Sequence, residues 1–495
     1  MEHPIESLRD KIKQAILWNA SFALLRDVVN FAVTLILVRL LSPEDYGKSA
    51  LVLSVIGFMG VFSFQNFLGH VLQVRQDREV NYQQHCTAGV AIQLALCLAT
   101  NAVAAILYWT DSYHPVAHFV HILSLVFLFD VPTGLRGKML ERDLDWRRLR
   151  LLHLLGMLLA RGCALAMAWA GATVHALLYP AFLVSLPFIY DLFVVQRWRP
   201  TWQWDHATYR RTWDFGMTRM FSGFTVKGRQ LLEAGLFVRL GDFAAFGVFG
   251  RAVGLAELFC GRLSFVAMEA IYPALTKVEP GTPGYRRASA LVLGCVTGCV
   301  IPIAIVLGIA AEAVVNLIYG DKWLAAVALL PWTMAAGAIG AIAHACYMLL
   351  LGNQNEKLCW RADLLQLTGT ALSLIFLLPR GVQAYLGGLV TTQGITLILL
   401  LRYLCRQQAI TFAEIRNAIA RPVSAGIGAL VICRLARQTV NGSDDPTLAV
   451  TIVFAIAFGM IYLALLRILF QPMLRELVSY CPGSKHLHRL LLLSA

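Results

Sequence analysis

Long apolar runs, cut by short polar turns, repeat along the whole chain. A run of about 20 apolar residues spans a bilayer as an α-helix, at roughly 1.5 Å rise per residue. The pattern predicts fourteen such helices, at 15–41, 46–72, 85–110, 116–137, 149–170, 173–196, 212–239, 243–272, 287–311, 323–350, 358–378, 382–404, 413–433 and 446–470. The 212–239 run is unusually polar, and the 149–170 and 173–196 runs stand close together. Every connection is short, which leaves no extramembrane domain to hold chemistry.

Composition agrees. The chain is 58% hydrophobic and 14% charged, with a mean hydropathy of +0.65; a soluble protein of this length carries about a quarter charged residues. No cleavable signal is expected, because Met1 to Gln14 is polar and the run after it is too long for a signal core. The 11 cysteines show no zinc or redox spacing, the Cys295/Cys299 pair being C-x-x-x-C, and read as small core hydrophobes. No phosphate loop of the G-x-x-x-x-G-K-[ST] kind occurs. No catalytic residue, metal or cofactor is expected.

The net charge of +13 invites a nucleic-acid partner, but the basic residues follow membrane topology instead. With fourteen spans, 28 of the 42 Lys and Arg fall on the side of the N-terminus, 7 on the opposite side and 7 within spans. This is the positive-inside bias, and it places both termini in the cytoplasm.

One nine-residue segment echoes another. Arg39-Leu40-Leu41-Ser42-Pro43-Glu44-Asp45-Tyr46-Gly47 joins spans 1 and 2; Arg239-Leu240-Gly241-Asp242-Phe243-Ala244-Ala245-Phe246-Gly247 joins spans 7 and 8. Ser42 and Asp242 hold the same N-cap position, and Pro43 follows at the first helical position. Six spans between the copies make the repeat parallel. The expected organisation is an N-terminal lobe (1–196), a cytoplasmic linker (197–211), a C-terminal lobe (212–404), and helices 13–14 with a cytoplasmic tail (405–495).

Charges inside spans are costly, so they mark a partner or a wet cavity. On span 1, Asn19, Arg26, Asn30 and Thr34 share a face, with Asp27 one step round. On span 7, Arg219, Ser222, Gly223, Gln230 and Glu233 form a stripe flanked by Lys227 and Arg229. On span 8, Arg251, Arg262 and Glu269 fall within about 20° of one another, with Glu257 to the side. The expectation is a net-positive seam for an anionic substrate, since arginine forks match phosphate oxygens. Its substrate-binding candidates are Arg26, Asn30, Arg219, Lys227, Arg229, Gln230, Arg251 and Arg262; its ion-coupling candidates are Asp27, Glu233, Glu257 and Glu269. The bland alternative is mutual neutralisation, as in an Arg229–Glu233 pair. Asp130 and Arg161 are also intramembrane, as structural partners or site residues. His153, His175 and His344 read as packing or hydrogen-bonding groups, and Gly250/Gly254 and Gly294/Gly298 as close-packing pairs.

At four places the chain resembles the polysaccharide-exporter (O-antigen flippase) branch of the multidrug/oligosaccharidyl-lipid/polysaccharide superfamily, most like colanic-acid-exporter-type members. They are Arg39–Gly47, the basic stretch Leu135–Leu149, Phe246-Gly247 through Ile271-Tyr272-Pro273-Ala274-Leu275-Thr276, and Tyr319-Gly320-Asp321-Lys322-Trp323. The resemblance implies an all-α polytopic protein of two six-helix lobes plus a C-terminal helix pair, V-shaped around a cationic cavity. It implies a flippase of the bacterial inner membrane, not an enzyme. Undecaprenyl-pyrophosphate-linked repeat units would pass to the periplasmic leaflet for exopolysaccharide, O-antigen or capsule synthesis. Alternating access coupled to Na+ or H+ would drive them, with membrane lipids, a polysaccharide polymerase and export machinery as partners. A lipid II flippase is the near alternative. A multidrug cation antiporter would show an acidic cavity, and a membrane polymerase or ligase would need outer loops longer than these.

Overall fold

The computed structural model describes Phe22 and residues 25–72, 80–204, 206–275, 281–353, 355–407, 410–440 and 448–479. No strand occurs among them. All fourteen predicted runs coincide with helical segments. Eleven helices among the described residues are long and apolar enough to cross a membrane. The other three runs are helical at residues 25–40, His206–Leu240 and Glu356–Phe376. The first is described only in part, and charge and polar side chains lower the hydropathy of the other two.

By its contacts the chain divides into two compact units, Met1–Gly247 and Val248–Ala495. In the first lie α1 (25–40), α2 (Pro43–Met59), α3 (Tyr82–Tyr108), α4 (His114–Leu123), α5 (Val126–Arg142), α6 (Trp146–Trp169), the short α7 (Thr173–Leu178) and α8 (Leu186–Tyr190), and α9 (His206–Leu240). The run expected to open the C-terminal lobe, α9, packs against α2 within this unit. Helix α10 (Phe243–Ala256) begins here and continues into the second unit. There follow α11 (Arg262–Leu275), α12 (Pro283–Ile309), α13 (Ala311–Ile318), α14 (Leu330–Gly352), α15 (Glu356–Phe376), α16 (Val382–Arg406), α17 (Arg421–Val440) and α18 (Leu448–Ser479). The last two pack on α12 through Ala425, Ala429, Phe458 and Tyr462 against Ile305 and Val306.

Local sequence explains the helix starts. Ser42 Oγ accepts from the Asp45 amide at 3.2 Å while Asp45 Oδ2 accepts from the Ser42 amide at 3.0 Å, a reciprocal capping box. Asp242 caps α10 the same way, accepting from the Ala245 amide at 2.6 Å. The echo therefore encodes two equivalent helix starts, and these meet. A Cβ on Gly47 would overlap the Phe243 carbonyl oxygen, and one on Gly247 would overlap the Pro43 carbonyl oxygen. The contact is reciprocal and keeps the 200-residue offset, Pro43 answering to Phe243 and Gly47 to Gly247. Close packing thus falls on the echo. Gly250, Gly254 and Gly298 have open space where a Cβ would stand, among the described residues.

Span 2 was expected to be continuous over 46–72 and is broken instead. Helix α2 gives way to a tight turn at Gly60–Phe62, an extended Ser63 and a single helical turn at Gln65–Leu68. Asn66 Nδ2 donates to the Val61 carbonyl at 2.7 Å, restoring a partner that the break removes. The linker after α8 runs non-helical and is laced to the start of α3. Gln83 Nε2 donates to Arg199 O at 2.9 Å and the Thr201 amide donates to Gln83 Oε1 at 2.6 Å. Trp202 and Trp204 remain exposed on it, as an interfacial segment requires.

Candidate functional site

In the first unit, α1 presents Arg26, Asp27 and Asn30. Arg26 Nε donates to Asp27 Oδ1 at 3.1 Å, and both side chains are about half exposed, at 50% and 41%. The cation and carboxylate expected to play separate parts thus neutralise each other. Asn30 Oδ1 accepts from Arg161 Nε of α6 at 2.8 Å, giving that intramembrane arginine a partner.

Helix α9 carries the other cations. Lys227 Nζ donates to Gln230 Oε1 at 3.0 Å, one turn along, and its stem lies beside Gly57 of α2. Arg229 is half-buried and makes no ion pair among the described residues, so the Arg229–Glu233 pairing is not formed. Glu233, four residues on, is also half-buried. The Arg219 side chain lies outside the described residues, although its backbone belongs to α9. The basic character of this unit's candidate site therefore rests on Lys227 and Arg229, beside Gln230, on the most polar of the long helices; neither cation makes an ion pair among the described residues.

In the second unit, Tyr319 Oη donates to the Arg251 carbonyl at 3.1 Å, tying the turn after α13 to α10. Burial pushes the Tyr319 hydroxyl up to about 12, so it stays a donor at physiological pH. The Arg262 guanidinium sits 5.6 Å from the Phe265 ring centre. Between the two arginines, Glu257–Gly261 forms a wide π-turn, and Glu257, which opens it, is exposed. A π-turn accommodates one extra residue and so rotates the helix beyond it by roughly 100°. The single face predicted for Arg251, Arg262 and Glu269 assumed uninterrupted α-helix, so the turn displaces Arg262 from it. The Glu269 side chain lies outside the described residues.

Two polar clusters of the first unit were poorly legible in the sequence. Asp191, in the π-turn after α8, is buried and holds two arginines, Arg136 Nε at 2.5 Å and Arg148 Nη2 at 2.7 Å. Both arginines had counted only as loop charge. The second cluster joins Asp130 of α5 to Gln93 of α3 and Ser63 at the break in span 2. The three histidines pack as expected: His153 on Phe188, His175 on Phe119, and His344 Nδ1 within 3.2 Å of Ser264 Oγ. No group of three His, Cys, Asp or Glu able to hold a metal occurs among the described residues.

Residues 36–328 match the family described as "Polysaccharide biosynthesis protein", more than half of the chain. The chain belongs to that family. It is similar to the "Succinoglycan biosynthesis transport protein ExoT" of Rhizobium meliloti (strain 1021), 22% identical over 301 residues. The chain spans 60% of that relative's length, and 60% of the chain is covered. Among solved structures, the "Lipid II flippase MurJ, inward closed conformation" superposes with a TM-score of 0.70 at 10% identity, over 91% of this chain and all of that one. An inward-facing multidrug resistance MATE family transporter of the MOP superfamily gives 0.54 at 16% identity, over 80% of this chain and 98% of that one. The MATE multidrug transporter DinF-BH gives 0.53 at 13% identity, over 82% and 96%. These likenesses establish the fold. This polysaccharide biosynthesis protein is a multi-pass membrane protein, and it shares its fold with solved flippase and MATE transporter structures.

Proposed function

We propose that the protein carries a polyprenyl-pyrophosphate-linked oligosaccharide from the cytoplasmic to the periplasmic leaflet of a bacterial inner membrane, as a repeat unit for surface polysaccharide. The observation that carries the reading is the pair of cations Lys227 and Arg229 beside Gln230 on α9, which make no ion pair among the described residues, in a protein of the polysaccharide biosynthesis family. A pyrophosphate offers the paired oxygens that an arginine fork and an ammonium recognise. The polyprenyl tail stays in lipid, so only the head group needs a polar route. Alternating access moves the head group between leaflets, coupled to an H+ or Na+ gradient. Both termini face the cytoplasm, by the Lys and Arg bias of the loops. A polysaccharide polymerase takes up the product on the far side.

The second reading is a lipid II flippase, favoured by the likeness to MurJ in fold; its head group is also a pyrophosphate. A multidrug cation antiporter is disfavoured by the sign of the charge on α9. Deleting the gene tests the proposal. The deletion strain is expected to accumulate lipid-linked oligosaccharide on the cytoplasmic face while peptidoglycan synthesis continues. Arrest of peptidoglycan with normal surface polysaccharide would instead support the lipid II reading.

A further inference from the structure

Asp130 sits in the middle of the membrane-spanning stretch His114–Arg142. It makes no ion pair among the described residues. Its neighbours are neutral. Gln93 of α3 is fully buried, and its Nε2 donates to Ser63 Oγ at 2.8 Å and reaches Asp130 Oδ2 at 3.4 Å. The Ser63 hydroxyl also interacts with the Asp130 carboxyl. Gln65 Nε2 donates to the Asp130 carbonyl at 2.8 Å, and Gly134 leaves room for it, since a Cβ there would meet that amide at about 2.5 Å. The remaining amide oxygen, Gln93 Oε1, is buried and has no hydrogen-bond partner. A buried acceptor left unsatisfied is costly and wants a reason.

We propose that Asp130, Gln93 and Ser63 form a proton-binding site in the first unit, placed against the break in span 2. The proposal rests on the ion-coupled transport proposed for this protein and names where the ion acts. With Asp130 ionised, the Gln93 NH2 faces the carboxylate, as observed. A proton taken from water onto Asp130 Oδ2 makes that oxygen an O–H donor, which needs an acceptor. Turning the Gln93 amide over brings Oε1 to it, and Ser63 then donates to the same oxygen instead of accepting from Nε2. Each orientation leaves one amide atom unpaired, so the hydrogen-bond count favours neither and the proton decides. Loss of the proton back to water reverses the change. Ser63 is the extended residue at which span 2 breaks, so the switch acts on that break.

Several titratable groups on α5 and on the elements packed against it have partners of their own, Arg142 among them, whose Nη1 donates to the Val71 carbonyl at 3.1 Å. Arg136 and Arg148 hold Asp191, Lys138 pairs with Glu141, and Arg161 binds Asn30. His153 packs on Phe188. Cys97 contacts Ser124, and His85 lies eight residues before Gln93 on α3.

The test is infrared difference spectroscopy of the full-length protein in lipid, with isotope-labelled aspartate carboxyls, between about pH 5 and pH 9. A carbonyl band of a protonated carboxylic acid is expected to titrate and to vanish in Asp130→Asn. Gln93→Leu and Ser63→Ala, which keep the acid, are expected to move its midpoint by about half a unit or more. Exchanging K+ for Na+ should leave the band unchanged. The proposal is overturned by a band that survives Asp130→Asn, by the absence of any titrating band, or by a midpoint unmoved in both Gln93→Leu and Ser63→Ala. Suppression of the band by Na+ would also overturn it, making sodium the ligand. No lipid substrate enters the measurement, so its failure is separate from failure of the flippase reading.

Discussion

A methyl group at Gly47 has nowhere to go, because the Phe243 carbonyl oxygen occupies its place. Gly47→Ala and Gly247→Ala are each expected to cost about 1–3 kcal/mol, by overpacking a contact between backbones. Thermal unfolding of the detergent-solubilised protein would show both losses, with Gly250→Ala unchanged as the control for open space. The buried Asp191 makes a stronger demand. Asp191→Asn leaves two arginines facing a neutral group, and breaking such a pair costs about 3–5 kcal/mol. Arg26 and Asp27 differ: neighbours on α1, they pair at 3.1 Å with both side chains about half exposed. The helix phase that grouped Arg26 with Asn30 could not reveal this pair. Adjacent residues point about 100° apart, and only the length of the arginine side chain lets them meet. Asp191 was illegible for a related reason. Its partners are 55 and 43 residues away in sequence, and nothing local marks them.

At the scale of elements, the apolar pattern was a reliable guide to where helices lie and a poor one to where they are interrupted. Hydropathy averages over a span, so a π-turn at Glu257–Gly261 or a break at Ser63 leaves no trace in it. Capping is the local signal that did survive, since Ser42 and Asp242 both bond the amide three residues on. The π-turn supports a sharp prediction. Removing exposed Leu258 should convert it to regular α-helix and turn Arg262 by roughly 100°. Cell-surface polysaccharide should then fall while the protein remains in the membrane at normal level, as judged by immunoblot and export together. Full export by the deletion variant would mean that the phase of Arg262 has no functional weight.

For the whole molecule, the loop charges predict which face each turn occupies. Reporter fusions after the α5–α6 turn and after the α13–α14 turn are expected to read cytoplasmic and periplasmic, respectively. The helices were legible because bilayer thickness fixes helix length. The substrate route was less so, since only backbone phase was available and the structure replaced part of it with the Arg26–Asp27 ion pair. What remains at the centre is the basic group of α9. Its direct test is translocation of a fluorescent polyprenyl-pyrophosphate-linked oligosaccharide by the purified protein in proteoliposomes, comparing wild type with Lys227→Ala/Arg229→Ala and with Arg26→Ala. The account predicts rapid leaflet exchange by the wild type, a loss of about tenfold or more in the double variant, and a smaller loss in Arg26→Ala, whose charge Asp27 already offsets. Wild-type exchange rates in the double variant would contradict it.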